Sequence, residues 1–155
     1  MRFTARWRRA VLTVHIASAV GWFGVDLVLL TLGIAGLSGA ADPAVVYPAQ
    51  GLIGLLLFVP LSVLVWLVGV VNALGTPWGL LRHWWVVTKF AIVSLMLVLV
   101  AFALLPNLLA ALHDGAALAA SHRRSLVIAP IVSSTLLVIS TTLSVYKPWG
   151  RARNS

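Results

Sequence analysis

Four long apolar runs divide the chain, at about residues 11–37, 47–74, 84–105 and 125–146. Each exceeds or matches the roughly 20 residues that an α-helix needs to cross a bilayer. The breaks between them are short and local. Ser38–Val46 holds Asp42-Pro43, residues 75–83 read GTPWGLLRH, and the alanine-rich Leu108–Arg124 carries His113, Asp114 and His122, with a short surface helix expected there. Pro60 removes a backbone donor in mid-run and predicts a kink, while Pro106-Asn107 predicts the end of the third helix. The pattern predicts an all-α fold, a four-helix transmembrane bundle forming a single integral membrane domain over 1–155.

Composition agrees with the pattern. Of 155 residues 61% are hydrophobic and only 9% charged, too few charges to cover a soluble protein of this size. The four runs leave no room for a soluble domain within these 155 residues, so any chemistry is expected in the bundle or its loops. A net charge of +8 would suggest nucleic acid in a soluble protein. Here the basic residues flank the spans, so they report membrane topology and no nucleic-acid partner is expected. Arg2, Arg6, Arg8, Arg9, Arg82, Lys89, Lys147, Arg151 and Arg153 fall on one side, leaving Arg123 and Arg124 opposite. By the positive-inside rule both termini are expected to be cytoplasmic, in a multi-pass protein of the plasma membrane. The basic start resembles a signal-peptide n-region, with Ser38-Gly39-Ala40 as a tolerable cleavage site, but the first run is too long for a signal h-region and predicts a retained anchor. The absence of cysteine excludes disulfides, thiolate metal sites and thiol catalysis.

Ionisable residues inside a span are costly and are functional candidates by default. His15 and Asp26 lie eleven residues apart in the first run. That is about three helical turns, placing them about 20° apart around the helix and about 16 Å apart along it. His15 sits about 9 Å inside Arg9, and Lys89 about 10 Å inside Arg82, so the two match in depth. Imidazole suits iron; the alternative is that Lys89 snorkels to the headgroups and His15 bonds a neighbouring helix. Asp26 must be protonated or find a cation, and Arg123 and Arg124 are the expected partners of a buried ion pair. A proton relay or substrate contact is its functional alternative. Ala17, Gly21 and Gly24 are expected to let neighbouring helices approach this face. His113 and His122, nine residues apart, match no standard metal-ligand spacing. The chain has no paired carboxylates, glycine-rich phosphate loop or serine-triad signature.

The segment His15-Ile-Ala-Ser-Ala-Val-Gly21-Trp22-Phe-Gly24 resembles the H-x5-G-W-x-G signature of the first helix in a broad group of small membrane proteins. That group includes CopD-type copper-resistance domains and haem-dependent membrane protoporphyrinogen oxidases. The stretch from Leu74 to Lys89 is similar to a family of uncharacterised actinobacterial four-helix membrane proteins. In the oxidase relatives a first-helix histidine and a third-helix lysine are implicated in haem b, and His15 and Lys89 stand at the matching positions. The W-x-H-x-K pattern of that group is replaced here by His83-Trp84-Trp85 and then Lys89.

The resemblance implies a haem-b-binding membrane protein with a redox or haem-handling role. His15 would be the axial ligand and Lys89 the candidate second, with Arg9 and Arg82 receiving propionates and Trp22 and Phe90 as walls. Two alternatives stand beside it. One is a non-enzymatic membrane component that binds a lipid, a protein partner or a second copy of itself through its small-residue faces. The other is a small transporter subunit that uses Asp26.

Overall fold

A computed structural model of the chain describes residues 4–76 and 79–146. Four helices make it up: α1 (Ala5–Ser38), α2 (Pro43–Gly75), α3 (Trp84–Ala117) and α4 (Ala120–Tyr146). Each is long and apolar enough to cross a membrane. The Thr4 hydroxyl accepts from the Trp7 N–H to start α1, and Gly39 ends it in the left-handed region at φ +75°. Asp42 Oδ1 accepts from the Ala44 N–H at 2.9 Å, and Pro43 opens α2.

The helices run longer than the apolar runs predict, most of all the third. Pro106 does not end α3: a π-turn over Val100–Leu104 precedes it, and helix continues over Leu105–Asp114. The surface helix expected within Leu108–Arg124 is therefore the last part of α3, a short 3₁₀ turn at Gly115–Ala117 and the first turn of α4. The same device serves α2, where a π-turn over Gly54–Phe58 precedes Pro60. A proline cannot donate to the carbonyl four residues back, and its ring crowds that carbonyl. In the wider turns the N–H of Val59 reaches Gly54 O and that of Leu105 reaches Val100 O, so each helix passes its proline without breaking.

α1 packs against α2 and α4, α3 packs against the same two, and α1 and α3 stand diagonally opposite. Four consecutive spans bring the start of α1 and the close of α4 to one end of the bundle, here the terminal end. At the far end glycines let backbones meet. A Cβ on Gly51 would lie 2.7 Å from the Leu108 carbonyl oxygen, and one on Gly36 would lie 3.0 Å from the Tyr47 ring. Gly21 and Gly24, expected to serve that purpose, are exposed, and a Cβ on either would have nothing within 4 Å. The close approach in α1 is made instead by Gly33 and Gly36. Tyr47, Phe58, Leu108 and Leu126 fill the interior.

The exterior is apolar as well. At most 28% of the most apolar stretch of any of the four helices is buried, and Val20, Leu56 and Phe102 point outward. Lipid, not water, satisfies such a surface. The chain is a multi-pass membrane bundle.

Candidate ligand cavity at the terminal end

The inward face of α1 reads His15, Ser18, Trp22, Asp26, Leu29, Gly33 and Gly36, in steps of three and four. This register aims His15 at a cavity of about 880 Å³ between the four helices at the terminal end. The volume falls within the roughly 300–1,000 Å³ of small-molecule sites. Arg8, Arg9, His15 and Lys89 contribute charge or basicity to its lining, and Trp66, Phe90 and Leu137 contribute apolar wall. His15 and Lys89, on diagonal helices, thus face one space.

Gly69 on α2 makes room for the His15 ring: a Cβ there would lie 3.2 Å from Cε1 and 3.7 Å from Nδ1. His15 Nδ1 is sealed and has no hydrogen-bond partner. Nε2 is left as the ring nitrogen that faces the cavity. The Lys89 ammonium donates to the Ser144 hydroxyl of α4, which itself donates to Ser140 O at 3.0 Å. Lys89 is therefore engaged across the bundle and does not extend to the membrane surface. Trp66 Nε1 donates to Ser94 Oγ at 2.9 Å and its ring lies 6.1 Å from that of Phe90, so this wall ties α2 to α3.

Two of the expected cavity residues lie elsewhere. Trp22 is buried beyond the cavity against Phe58, with ring centroids 5.6 Å apart, and Trp66 takes the wall position instead. Arg82 is exposed on the connection before α3 and does not line the cavity. Arg8 does, and the signal for it was present in the sequence. Arg8 precedes His15 by seven residues, two helical turns on one face.

The expected ion pair of Asp26 with Arg123 or Arg124 is not formed. Asp26 is 1% exposed, and its Oδ2 accepts from the Ser134 hydroxyl at 2.7 Å. Ser134 is eleven residues beyond Arg123 on α4, about 16 Å along the axis, farther than an arginine reaches. Arg123 donates to the carbonyls of Leu118 and Ala116 at 2.7 and 2.6 Å and lies over the Tyr47 ring at 5.2 Å. Arg124 is exposed. Depth decides the matter: the arginines cap the far end, and the carboxylate lies well inside it.

Sequence reasoning also passed over Gln50. Its Nε2 donates to Leu29 O at 2.8 Å and Leu126 O at 3.0 Å, joining α1, α2 and α4 in the buried interior. A side-chain amide within an apolar span was the available signal. At the far end His122 Nδ1 meets Asn107 Oδ1 at 2.5 Å, while His113 and Asp114 are exposed. Among the described residues no three histidine or carboxylate side chains gather into a metal-binding group. No family model, curated protein or solved structure matches this chain.

Proposed function

We propose that this protein binds haem b in the cavity at the terminal end, as a plasma-membrane protein with both termini cytoplasmic. One juxtaposition carries the proposal: His15, Lys89, Arg8 and Arg9 line the same large cavity, whose remaining wall is mostly apolar. An apolar macrocycle with acidic side chains needs that combination of wall and charge. The residues fit the group in three respects. His15 offers Nε2 while Gly69 fixes the ring from behind. Trp66 and Phe90 supply flat apolar surface. Arg8 and Arg9 stand where carboxylates would be received.

Bound haem supplies one-electron iron chemistry. The chain's own residues do the rest. His15 would hold the iron, the two arginines would orient the ligand, and the apolar wall would keep water away. Lys89 is held by Ser144 and would have to leave it to reach the bound group. The sequence resemblance also favours haem. The nine-to-two distribution of basic residues favours the orientation.

Protein purified from haem-replete cells should show a Soret band that His15→Ala removes. A band unchanged in His15→Ala overturns the site. The basic mouth on an apolar cavity also favours a second ligand class, an anionic lipid. Colourless protein that retains an acidic lipid, and loses it in the Arg8→Ala/Arg9→Ala variant, would replace haem with lipid in the same cavity.

A further inference from the structure

Asp26 belongs to neither the cavity nor an ion pair, and its surroundings are specific. Oδ2 accepts from Ser134, and Ser133 lies beside the same carboxyl group. Oδ1 is sealed from solvent and has no hydrogen-bond partner. The His15 cavity does not reach it: the α1 lining ends at Val20 and the α4 lining at Leu137, with the Trp22–Phe58 pair packed in the interior beyond. A second, smaller cavity reaches its neighbour Ser133 but is not lined by Asp26 itself. A crevice of about 250 Å³ lies between α3 and α4, with Asn107 and Ser125 toward the far end and Ser133 deeper in.

A carboxylate enclosed in an apolar interior needs compensation of its charge. The other charged and titratable residues stand at different levels. Among the described residues α2 contributes only Tyr47, at the far end. α3 contributes Lys89 in the cavity, and His113 and Asp114 exposed at the far end. α4 contributes His122, Arg123 and Arg124 at its start and Tyr146 at its close; α1 contributes His15 and its arginines at the terminal end. Two serine hydroxyls and one carboxyl oxygen fall short of the six or more oxygens of a calcium shell, and the near-octahedral set of magnesium is equally out of reach. A proton needs only Oδ1.

We propose that Asp26 is a reversible proton-binding site, loaded from the far end through the α3–α4 crevice past Ser133. Uptake forms one O–H bond at Oδ1 and neutralises the carboxylate. Release breaks that bond and returns the proton to water on the same side, so no redox partner is needed. The Trp22–Phe58 pair keeps this exchange apart from the cavity, and the proposal stands independently of what the cavity binds.

Infrared difference spectra of the purified protein after a rapid buffer pH jump test it directly. A carboxylic C=O band should appear on acidification, shift in deuterium oxide, and be lost in Asp26→Asn. Ala129→Leu, which narrows the crevice, should slow its appearance, and Ser133→Ala provides a milder block in case the larger side chain impairs folding. Ala73→Leu, which fills part of the cavity, should leave the rate unchanged. A spectrum without an Asp26 band change over the stable pH range overturns the site. A band slowed by Ala73→Leu, but by neither crevice variant, overturns the route.

Discussion

Gln50 donates from Nε2 to the main-chain carbonyl of Leu126 at 3.0 Å. Pro130, four residues beyond Leu126 in α4, has no N–H to give that carbonyl. A side chain of α2 therefore supplies the hydrogen bond that α4 lacks. Gly33 permits it, because a Cβ there would lie 3.0 Å from Gln50 Nε2 and 2.9 Å from Leu126 O. An unpaired carbonyl in an apolar interior is costly, so the amide and the proline form one unit. Gln50→Leu should lower stability by about 1–3 kcal/mol, the range for a buried polar group left unsatisfied. In a Pro130→Ala background the residue at 130 can donate to Leu126, and the same change should cost less. Thermal unfolding of the four proteins in detergent gives the cycle; equal losses in both backgrounds would separate the two residues.

Asp26 and Arg123 should behave as strangers. Asp26→Asn keeps a group able to bond Ser134 and removes a buried carboxyl, so thermal stability should hold or rise. Arg123→Ala removes two carbonyl bonds and the contact over Tyr47, and should cost about 1–3 kcal/mol. The double variant should show the sum of the single effects. A coupling above about 0.5 kcal/mol would mean that the two groups interact after all.

The four helices were legible because lipid imposes a minimum apolar length, and that length is visible without any partner in view. The prolines misled at Pro106, since proline marks a disturbed hydrogen bond and does not say whether a π-turn will absorb it. His15 and Lys89 were legible as a pair of matching depth, and they do line one cavity. Asp26 was legible as a buried acid but not in its partner. Charge suggested the arginines, whereas the pairing depended on how α4 rotates Ser134 toward α1. Trp22 and Trp66 illustrate the same limit, because both are aromatic residues within spans and only the packing of α1 against α2 decides which one meets the cavity.

Glycine positions give a contrast within one residue type. Gly51 faces the backbone of α3, where a Cβ would lie 2.7 Å from Leu108 O and 2.8 Å from Leu112 N. Neither atom is the end of a flexible side chain, so the helices must separate. Gly51→Ala should cost about 1–3 kcal/mol, as overpacking does. Gly24 has open space around it, and Gly24→Ala should stay within about 0.5 kcal/mol of the parent. Melting temperatures in one detergent decide between them. Equal tolerance at both sites would contradict the close packing of α2 on α3.

The arginines at the terminal end separate a cavity-bound anion from a general attraction to acidic membranes. All three are exposed, but Arg8 and Arg9 line the cavity, whereas Arg82, on the connection before α3, does not. All three carry the same charge, and all three should contribute similarly to adsorption on an anionic bilayer, about 1 kcal/mol each. A ligand held inside the cavity distinguishes them. Arg8→Ala and Arg9→Ala should each weaken retention of an acidic ligand by about tenfold, the equivalent of about 1.4 kcal/mol. Arg82→Ala should leave retention unchanged. Trp66→Ala should weaken it too, through lost wall and the lost bond to Ser94, while Trp22→Ala should act on stability first. Titration of hemin, followed by absorbance, and of a fluorescent acidic lipid into each purified variant reads these effects directly. Equal losses for Arg8, Arg9 and Arg82 would move the anion out of the cavity and onto the membrane surface.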